Sequence, residues 1–356
     1  MPNEIEGFDY HANIERAGIS GFEFGWYAAH ERSRLLCVIP AFFTHYDLVT
    51  TAQGRARRAL EAVRQFMPGG LSLGLACLGS PETERCQIGM NPAIDDATAL
   101  AVFDELIGFW ERDANKRQLS LLGIKDICGA NTSRFGSVLR KRGYRAAASL
   151  PIAVLPITFQ SVEEYFASLS AATRKDLRRK LRTQALVSVE VTRDIEAALP
   201  DIMVMYRETR ERSDWAFEEL SANYFRELTA GSNASAKFVL YRSSGTLVAA
   251  NLLIEDECQI IDKFFVMRAT AGRELNLYFL SWVQNVRRCL ERGCHTFVAG
   301  AAGYETKLRL GCRLQRRSLY YRHRNAAANL MLRAVSPVLA VEQPATIDAA
   351  CWESVI

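Results

Sequence analysis

The sequence predicts an α/β (α+β) chain of two similar lobes, each a mixed twisted sheet flanked by helices, with a cleft between or within the lobes. Length is the first observation, since 356 residues suit about two domains. The second is a pattern that occurs twice. Residues 119–155 read as a short apolar strand (Leu119 to Gly123), a loop, a helix carrying Leu139-Arg140-Lys141-Arg142-Gly143, and an apolar strand ending near Leu155. Residues 295–322 read as a strand (His295 to Ala299), a loop, a helix carrying Leu308-Arg309-Leu310-Gly311-Cys312, and a strand ending near Arg322. Third, each unit follows a long helical stretch, near 95–117 and 275–292, and Gly143 and Gly311 stand 168 positions apart. Repetition at domain-sized spacing points to a duplicated module. A cleft between two such lobes is a preferred ligand site.

The elements follow in order. Phe22 to Thr51 reads as a hairpin, with Leu35-Leu36-Cys37-Val38-Ile39-Pro40 as a buried-strand run. Pro68-Gly69-Gly70 marks a turn, and Leu71 to Leu78 a strand. Asp95 to Lys116 has helical spacing, with Leu100, Phe103, Leu106, Ile107 and Trp110 on one face. The strand after Gly143 runs through Pro151 and Pro156. Proline cannot donate to a ladder, so this strand suits an edge or a crossover between domains. The boundary falls near Thr158, giving a first lobe 1–157, a second lobe 158–335 carrying the active site, and a tail 336–356. The second lobe opens with a helix over 161–183, a strand over Val187–Thr192, and helices over Leu199–Arg212 and Ser221–Thr229. Strands over Lys237–Arg242, Thr246–Ile254 and Cys258–Met267 form a meander. A helix over Leu275–Arg292, the second unit and a helix from Ala326 complete the chain. Three strands, a helix and a returning strand make a mixed sheet with helices on its faces.

Composition excludes several classes. Hydrophobic content of 49% and charged content of 24% match ordinary globular domains. No apolar run approaches the ~20 residues of a spanning helix, and Met1-Pro2-Asn3-Glu4 lacks the start of a signal peptide. The nine cysteines are scattered, odd in number and without a CxxC pair. They read as reduced thiols in a cytoplasmic protein, and neither a structural zinc site nor any bound cofactor is implied. A net charge of +4 is too small for a globally nucleic-acid-binding chain, although the basic residues are locally concentrated.

The order of elements resembles the GNAT acyltransferase fold used twice. Two stretches make the chain similar to the FemAB-like branch of the Fem-type aminoacyl transferases, the peptidoglycan biosynthesis or recognition proteins. One is Val162-Glu163-Glu164-Tyr165-Phe166-Ala167-Ser168-Leu169-Ser170 with Arg174-Lys175-Asp176-Leu177-Arg178-Arg179-Lys180-Leu181. The other is Gly300-Ala301-Ala302-Gly303-Tyr304-Glu305-Thr306-Lys307-Leu308-Arg309-Leu310-Gly311. The resemblance implies transfer of an aminoacyl group from aminoacyl-tRNA, or an acyl group from acyl-coenzyme A, onto a small-molecule or peptide amine. One residue more stands between Gly303 and Lys307 than in the family pattern, which leaves open whether Tyr304 or Glu305 faces the cleft. The resemblance also places Trp215 in a loop bordering the acceptor pocket, with Tyr206 and Glu208 on the preceding helix.

The candidate residues then group by chemistry. Arg174, Arg178 and Arg182 form an i, i+4, i+8 stripe that Lys175, Arg179 and Lys180 widen. It is either a site for a tRNA backbone or phosphorylated carrier, or a solvated amphipathic face. Arg313, Arg316, Arg317, Arg322 and Arg324 interleave with Tyr320 and Tyr321, a pattern suited to phosphate contact and stacking. Arg268-Ala269-Thr270-Ala271-Gly272-Arg273 stands where relatives carry a glycine-rich pyrophosphate turn. Arg268 and Gly272 match that turn, and Arg273 replaces a small residue. A degraded coenzyme turn beside two basic clusters favours aminoacyl-tRNA as donor over acyl-coenzyme A. Glu305 is a candidate proton acceptor and Lys307 a candidate for stabilising the tetrahedral intermediate; alternatively, Glu305 caps its helix and Lys307 is a surface residue. Asp262 and Lys263 lie within an apolar strand, where a charge needs a partner. That partner is a ligand facing Asp262 or an internal salt bridge. His295, His323 and Cys312 read as structural. A non-catalytic binding protein is the rival, and the discriminator is whether Glu305, Lys307 and Asp262 converge on one channel.

Overall fold

A computed structural model describes residues 4–47, 61–62, 72–212, 217–231 and 235–330. The chain begins with α1 (Phe8–Ala17), β1 (Phe22–Glu31), β2 (Arg34–Asp47), β3 (Ser72–Leu78), β4 (Gly89–Met90), α2 (Asp96–Lys116), β5 (Leu121–Cys128), α3 (Ala130–Lys141), β6 (Arg145–Ala148) and β7 (Ile152–Pro156). It continues with α4 (Val162–Ser168), α5 (Ala171–Lys180), a 3-10 turn (Leu181–Leu186), β8 (Ser188–Thr192), α6 (Leu199–Glu211), α7 (Ala222–Ala230), β9 (Ala236–Ser243), β10 (Thr246–Glu255) and β11 (Gln259–Met267). Last come α8 (Ala269–Glu274), α9 (Leu277–Arg292), β12 (Thr296–Gly300), α10 (Tyr304–Arg309), β13 (Arg313–Gln315) and β14 (Arg317–His323). Two mixed seven-stranded sheets result. The first runs β1-β2-β3-β5-β14-β6 with β4 on β2, and the second runs β13-β7-β12-β11-β10-β9-β8.

The repeated unit is real, and the lobes exchange strands through it. In each unit the strand after the glycine breaks in two. β6 stays in the first sheet while β7 pairs with β12 and β13 of the second. Reciprocally, β13 stays in the second sheet while β14 lies between β5 and β6 of the first. The cut at 157/158 therefore does not separate one sheet from the other. Nor is β7 an edge, since Ile152, Ala153, Val154 and Leu155 are all buried and a strand lies on each side. Pro151 breaks the run between the sheets, which is the crossover alternative.

Gly143 and Gly311 do the same work. Each adopts a left-handed φ, +86° and +94°. Each turn closes with a bond from the next amide back five residues, Tyr144 to Leu139 and Cys312 to Lys307, at 3.0 Å in both cases. This is the helix-ending motif that only glycine adopts without strain. The expected 161–183 helix is instead two helices and a 3-10 turn. Ser161 and Ser170 each accept an amide three residues on, from Glu164 (3.1 Å) and Thr173 (3.2 Å), so each starts its own helix.

Apolar layers cover both faces of the second sheet. On one face, Tyr10 and Ile14 of α1 join α6 and α7 over Phe238, Leu240 and Leu252. On the other, α4, α5 and α9 cover Val239, Leu253 and Phe297. The helix α1 precedes every element expected from the sequence, and its buried Tyr10, Ile14 and Ala17 belong to the second lobe's core. Helices α2 and α3 cover the first sheet through Phe103, Trp110 and Phe135. Among the described residues no helix is long and apolar enough to cross a membrane. Cys312 is buried, as expected of a small apolar residue.

Candidate functional site

Strands β11 and β12 run parallel for only three pairs, Gln259–Thr296 to Ile261–Val298. β12 then shifts register between Val298 and Gly300. β11 bulges against β10: Leu253 pairs with Asp262 and Leu252 with Phe264, so Lys263 is the extra residue. The two strands thus part beyond Ile261. Asp262 and Lys263 alternate to opposite sides of the sheet, and the bulge leaves Lys263 and Phe264 on the same side, with Tyr10.

Asp262 lies on the α9 side and is partly exposed. Its Oδ2 accepts from Asn285 Nδ2 at 3.1 Å and from Asn251 Nδ2 at 3.5 Å. Burial pushes its carboxyl up to about 6, with Lys307 and Asn251 opposing and Glu84 adding to the rise. Lys307 is buried on α10. Its ammonium donates to the carbonyls of Ala299 (2.5 Å), Ala301 (3.1 Å) and Gly300 (3.4 Å). An ammonium has three protons, so Lys307 shapes the 299–301 loop and has none left for an oxyanion. It is also no surface residue. Burial lowers its pKa, and the Asp262 charge opposes that. Glu305 stands exposed on the first turn of α10. Tyr304 turns inward, its hydroxyl donating to Pro151 O at 2.9 Å. That settles which of the two faces the core. Of the three catalytic candidates, Asp262 and Lys307 converge and Glu305 does not.

Lys263 faces the first lobe. It pairs with Glu6 at 2.6 Å, the side chains 4% and 2% exposed, and donates to Glu82 O at 2.8 Å. The internal salt bridge expected for the Asp262-Lys263 pair therefore exists, but its acid is Glu6. Beside it lies a carboxylate that sequence reasoning missed. Glu82 is buried and accepts from Tyr224 OH at 3.0 Å. Burial, with the charge of Glu218 adding, pushes it up to about 8. The only sequence signal was Glu82-Thr83-Glu84 just past the strand ending at Leu78.

The donor candidates divide. Lys175, Arg178, Arg179 and Arg182 are exposed on or just after α5, Arg179 pairing with Asp176 at 2.6 Å. Arg174 is turned inward to the carbonyls of Phe166, Ala167 and Leu169 at 3.3–3.4 Å, where it closes the end of α4. Thr183 Oγ1 donates to Leu275 O at 2.7 Å, which ties this basic segment to the turn between α8 and α9. Arg273 is exposed on α8. Arg268 is partly exposed, pairs with Asp201 at 2.7 Å and donates to Leu247 O at 3.2 Å. Gly272 is small for packing: a Cβ there would stand 2.3 Å from Met267 Sδ. Gly272→Ala is expected to cost about 1–3 kcal/mol, read as a lowered urea midpoint.

The second basic cluster divides too: Arg313, Arg316 and Arg324 are exposed, whereas Arg317 and Arg322 are structural. Arg317 is buried, 3.3 Å from Asp126, and donates to Glu84 O and Leu150 O at 2.7 Å each. Arg322 pairs with Glu111 at 2.9 Å. Both pin β14 in place, so alternation along the strand does not free them for a nucleic acid. Of the acceptor-pocket candidates, Tyr206 is buried and its hydroxyl accepts from Leu220 N at 3.0 Å, a structural contact. Glu208 is partly exposed on α6. Trp215 lies outside the described residues. Phe217, two positions on, packs edge-on against Phe22 and Tyr46 at 5.3 and 5.8 Å and bridges the lobes.

Comparison with known proteins fits this geometry. The solved structure of FemX superposes with a TM-score of 0.58 at 11% identity, covering 88% of this chain and 90% of that one. A tandem GNAT protein from the clavulanic acid biosynthesis pathway superposes with a TM-score of 0.50 at 12% identity, covering 88% and 87%. A Mycobacterium tuberculosis protein bearing the provisional name 8-amino-7-oxononanoate synthase 2 is 23% identical over 331 residues, 91% of this chain. The chain spans 42% of the length of that relative. Residues 139–346 match the FemAB-like family, described as peptidoglycan biosynthesis/recognition. With the tandem fold and more than half of its length inside that match, the chain belongs to the FemAB-like family.

Proposed function

We propose that the protein is an N-acyltransferase that forms an amide by moving an aminoacyl group from aminoacyl-tRNA to a small-molecule or peptide amine, in cell-wall or natural-product biosynthesis. The observation that carries the reading is the parting of β11 and β12 beside a carboxylate that burial pushes up to about 6. The donor carbonyl lies in the split. The amine attacks it directly, Asp262 takes up the surplus proton, and main-chain amides of β11 beyond Ile261, which face no strand on that side, meet the developing oxyanion. Lys307 keeps the loop wall in shape. The first lobe serves as a degenerate copy that closes one side. The exposed face of Lys175, Arg178, Arg179 and Arg182, joined to the α8 turn, receives the carrier. The tie of Arg268 to Asp201 and the packing of Gly272 on Met267 disfavour a coenzyme pyrophosphate there.

The test incubates the protein with charged tRNA and, separately, with acyl-coenzyme A. Labelled aminoacyl-tRNA is expected to be protected from ribonuclease. In Lys175→Glu/Arg178→Glu/Arg182→Glu protection should weaken at least tenfold, with a shallower salt dependence; Arg174 stays intact because it closes α4. Turnover with acyl-coenzyme A and none with charged tRNA would replace the donor.

A further inference from the structure

The layer between the second sheet and α9 is apolar except for one island. Tyr241 of β9 and Asn251 of β10 are each 0% exposed, and Asn285 of α9 is 1% exposed. They gather with Tyr278 of α9 around Asp262, among Val239, Ala249, Leu253 and Val286. The Asn251 amide donates towards Asp262 Oδ2 (3.5 Å) and Asn285 Oδ1 (3.4 Å). Among the described residues its own Oδ1 has no hydrogen-bond partner, and neither has the Tyr241 hydroxyl. The Asp262 charge adds to burial in raising both phenols, Tyr241 and Tyr278, above the ordinary tyrosine range. Buried polar atoms are almost always paired, and each orphan needs a reason. Here one orphan shares its amide with the Asp262 carboxylate and the other feels that carboxylate's charge.

The chemistry of the set selects the guest. Asp262 and Asn251 Oδ1 offer acceptors only, and a phenol oxygen accepts as well as donates. An ammonium guest brings the several donors that these acceptors lack, together with a charge that Asp262 attracts. An anion is refused by Asp262, and a quaternary cation brings no N–H. Lys307 and Glu84 are the other charged groups that face Asp262. The Lys307 protons are spent on the loop carbonyls, so the ammonium neighbouring Asp262 leaves the two orphans unserved.

We infer that Tyr241, Asn251 and Asp262 form a receptor for a primary ammonium group, with Asn251 as its specificity residue. The inference rests on the acyl-transfer reading for the guest's source, which is either the acceptor amine or the α-ammonium of the transferred aminoacyl group. The site itself does not depend on that reading.

The side-chain amide resonances of Asn251 and Asn285 in the full chain report the site. Methylammonium chloride is expected to shift both saturably, and tetramethylammonium chloride at equal ionic strength to shift neither. In Asp262→Asn the Asn251 response should weaken at least tenfold. Equal responses to the two salts, no saturable response, or an unchanged response in Asp262→Asn would overturn the receptor. Asn251→Leu, checked for folding by circular dichroism, should lose methylammonium binding at Asn285 by a similar factor; retained binding would remove Asn251 from the site. With labelled aminoacyl-tRNA present, methylammonium in the acceptor's place is consumed. The ester C–O bond breaks and a C–N bond forms. Of the three methylammonium protons, Asp262 takes one, the departing tRNA oxygen takes one to become the hydroxyl, and one stays on the nitrogen of the N-methylamide. A donor-side site gives competition with aminoacyl-tRNA instead, and N-acetylated aminoacyl-tRNA then binds at least tenfold more weakly. Saturable binding without turnover of any donor would sink the transfer reading and leave the receptor standing.

Discussion

Asp262→Asn is expected to lower amide formation by about 10²–10⁴-fold, the usual worth of a positioned proton acceptor, while making the folded protein more stable at neutral pH. The two effects share a cause. The side chain has an ordinary value of 3.8 and is pushed up to about 6 by burial, so the folded state holds its proton more tightly than the unfolded chain does. The stability cost begins as pH rises past the unfolded value and is complete once the folded value is passed. Above pH 6 the ionised carboxylate costs about 1–3 kcal/mol at the usual exchange between pKa and free energy. The asparagine variant never ionises. Its urea midpoint should exceed that of the parent at pH 8, and the gap should close by about pH 4. Loss of the Asp262 charge beside Lys307 sets the lower end of the range. The rate of the parent should fall as pH is lowered through 6, because the acceptor form disappears there. A variant that kept its rate would remove Asp262 from the chemistry, and a variant no more stable at pH 8 would show that its burial is compensated.

The duplicated module, the family and the basic helix were legible because each rests on local pattern. The glycines at 143 and 311 mark the repeat in the sequence, and in the structure each ends its helix by backbone sterics alone. The strand exchange was not legible. Residues 145–155 and 313–323 look continuous, and only tertiary pairing shows that each divides between two sheets. Basic residues were read as meeting either a ligand or solvent, and Lys175 and Arg178 are exposed accordingly. That reading failed for Lys307, Arg174, Arg268 and Arg317, each of which turns back to a carbonyl or acid brought near by the fold. Asp262 was found from a charge inside an apolar strand. Its companions Asn251 and Asn285 were missed, since one asparagine in a strand and one in a helix carry no shared spacing.

Lys263→Met is expected to destabilise the protein by about 3–5 kcal/mol, the cost of removing one member of a fully buried ion pair. Glu6 then stays buried 2% exposed, keeping only the Glu84 amide at 2.9 Å. Desolvation already favours its protonated form, and Lys263 is the main group opposing that. In the variant the folded proton affinity of Glu6 rises further, so the penalty is full at neutral and alkaline pH. It fades as pH falls through the folded value towards the unfolded one near 4.5. Lys263→Met/Glu6→Gln should cost clearly less than the two single changes taken together, because no lone charge remains. Urea unfolding of all four proteins at pH 5 and pH 8 measures the cycle. The pair reaches function through the bulge. Lys263 is the residue that β11 carries in excess, and its partner comes from the segment just before α1, so this contact ties the bulge beside Asp262 to the N-terminal segment. A double variant that recovers stability but not amide formation would show that the pair sets the bulge. Recovery of both would show that β10 alone holds the bend, leaving the N-terminal segment a merely structural part in the site.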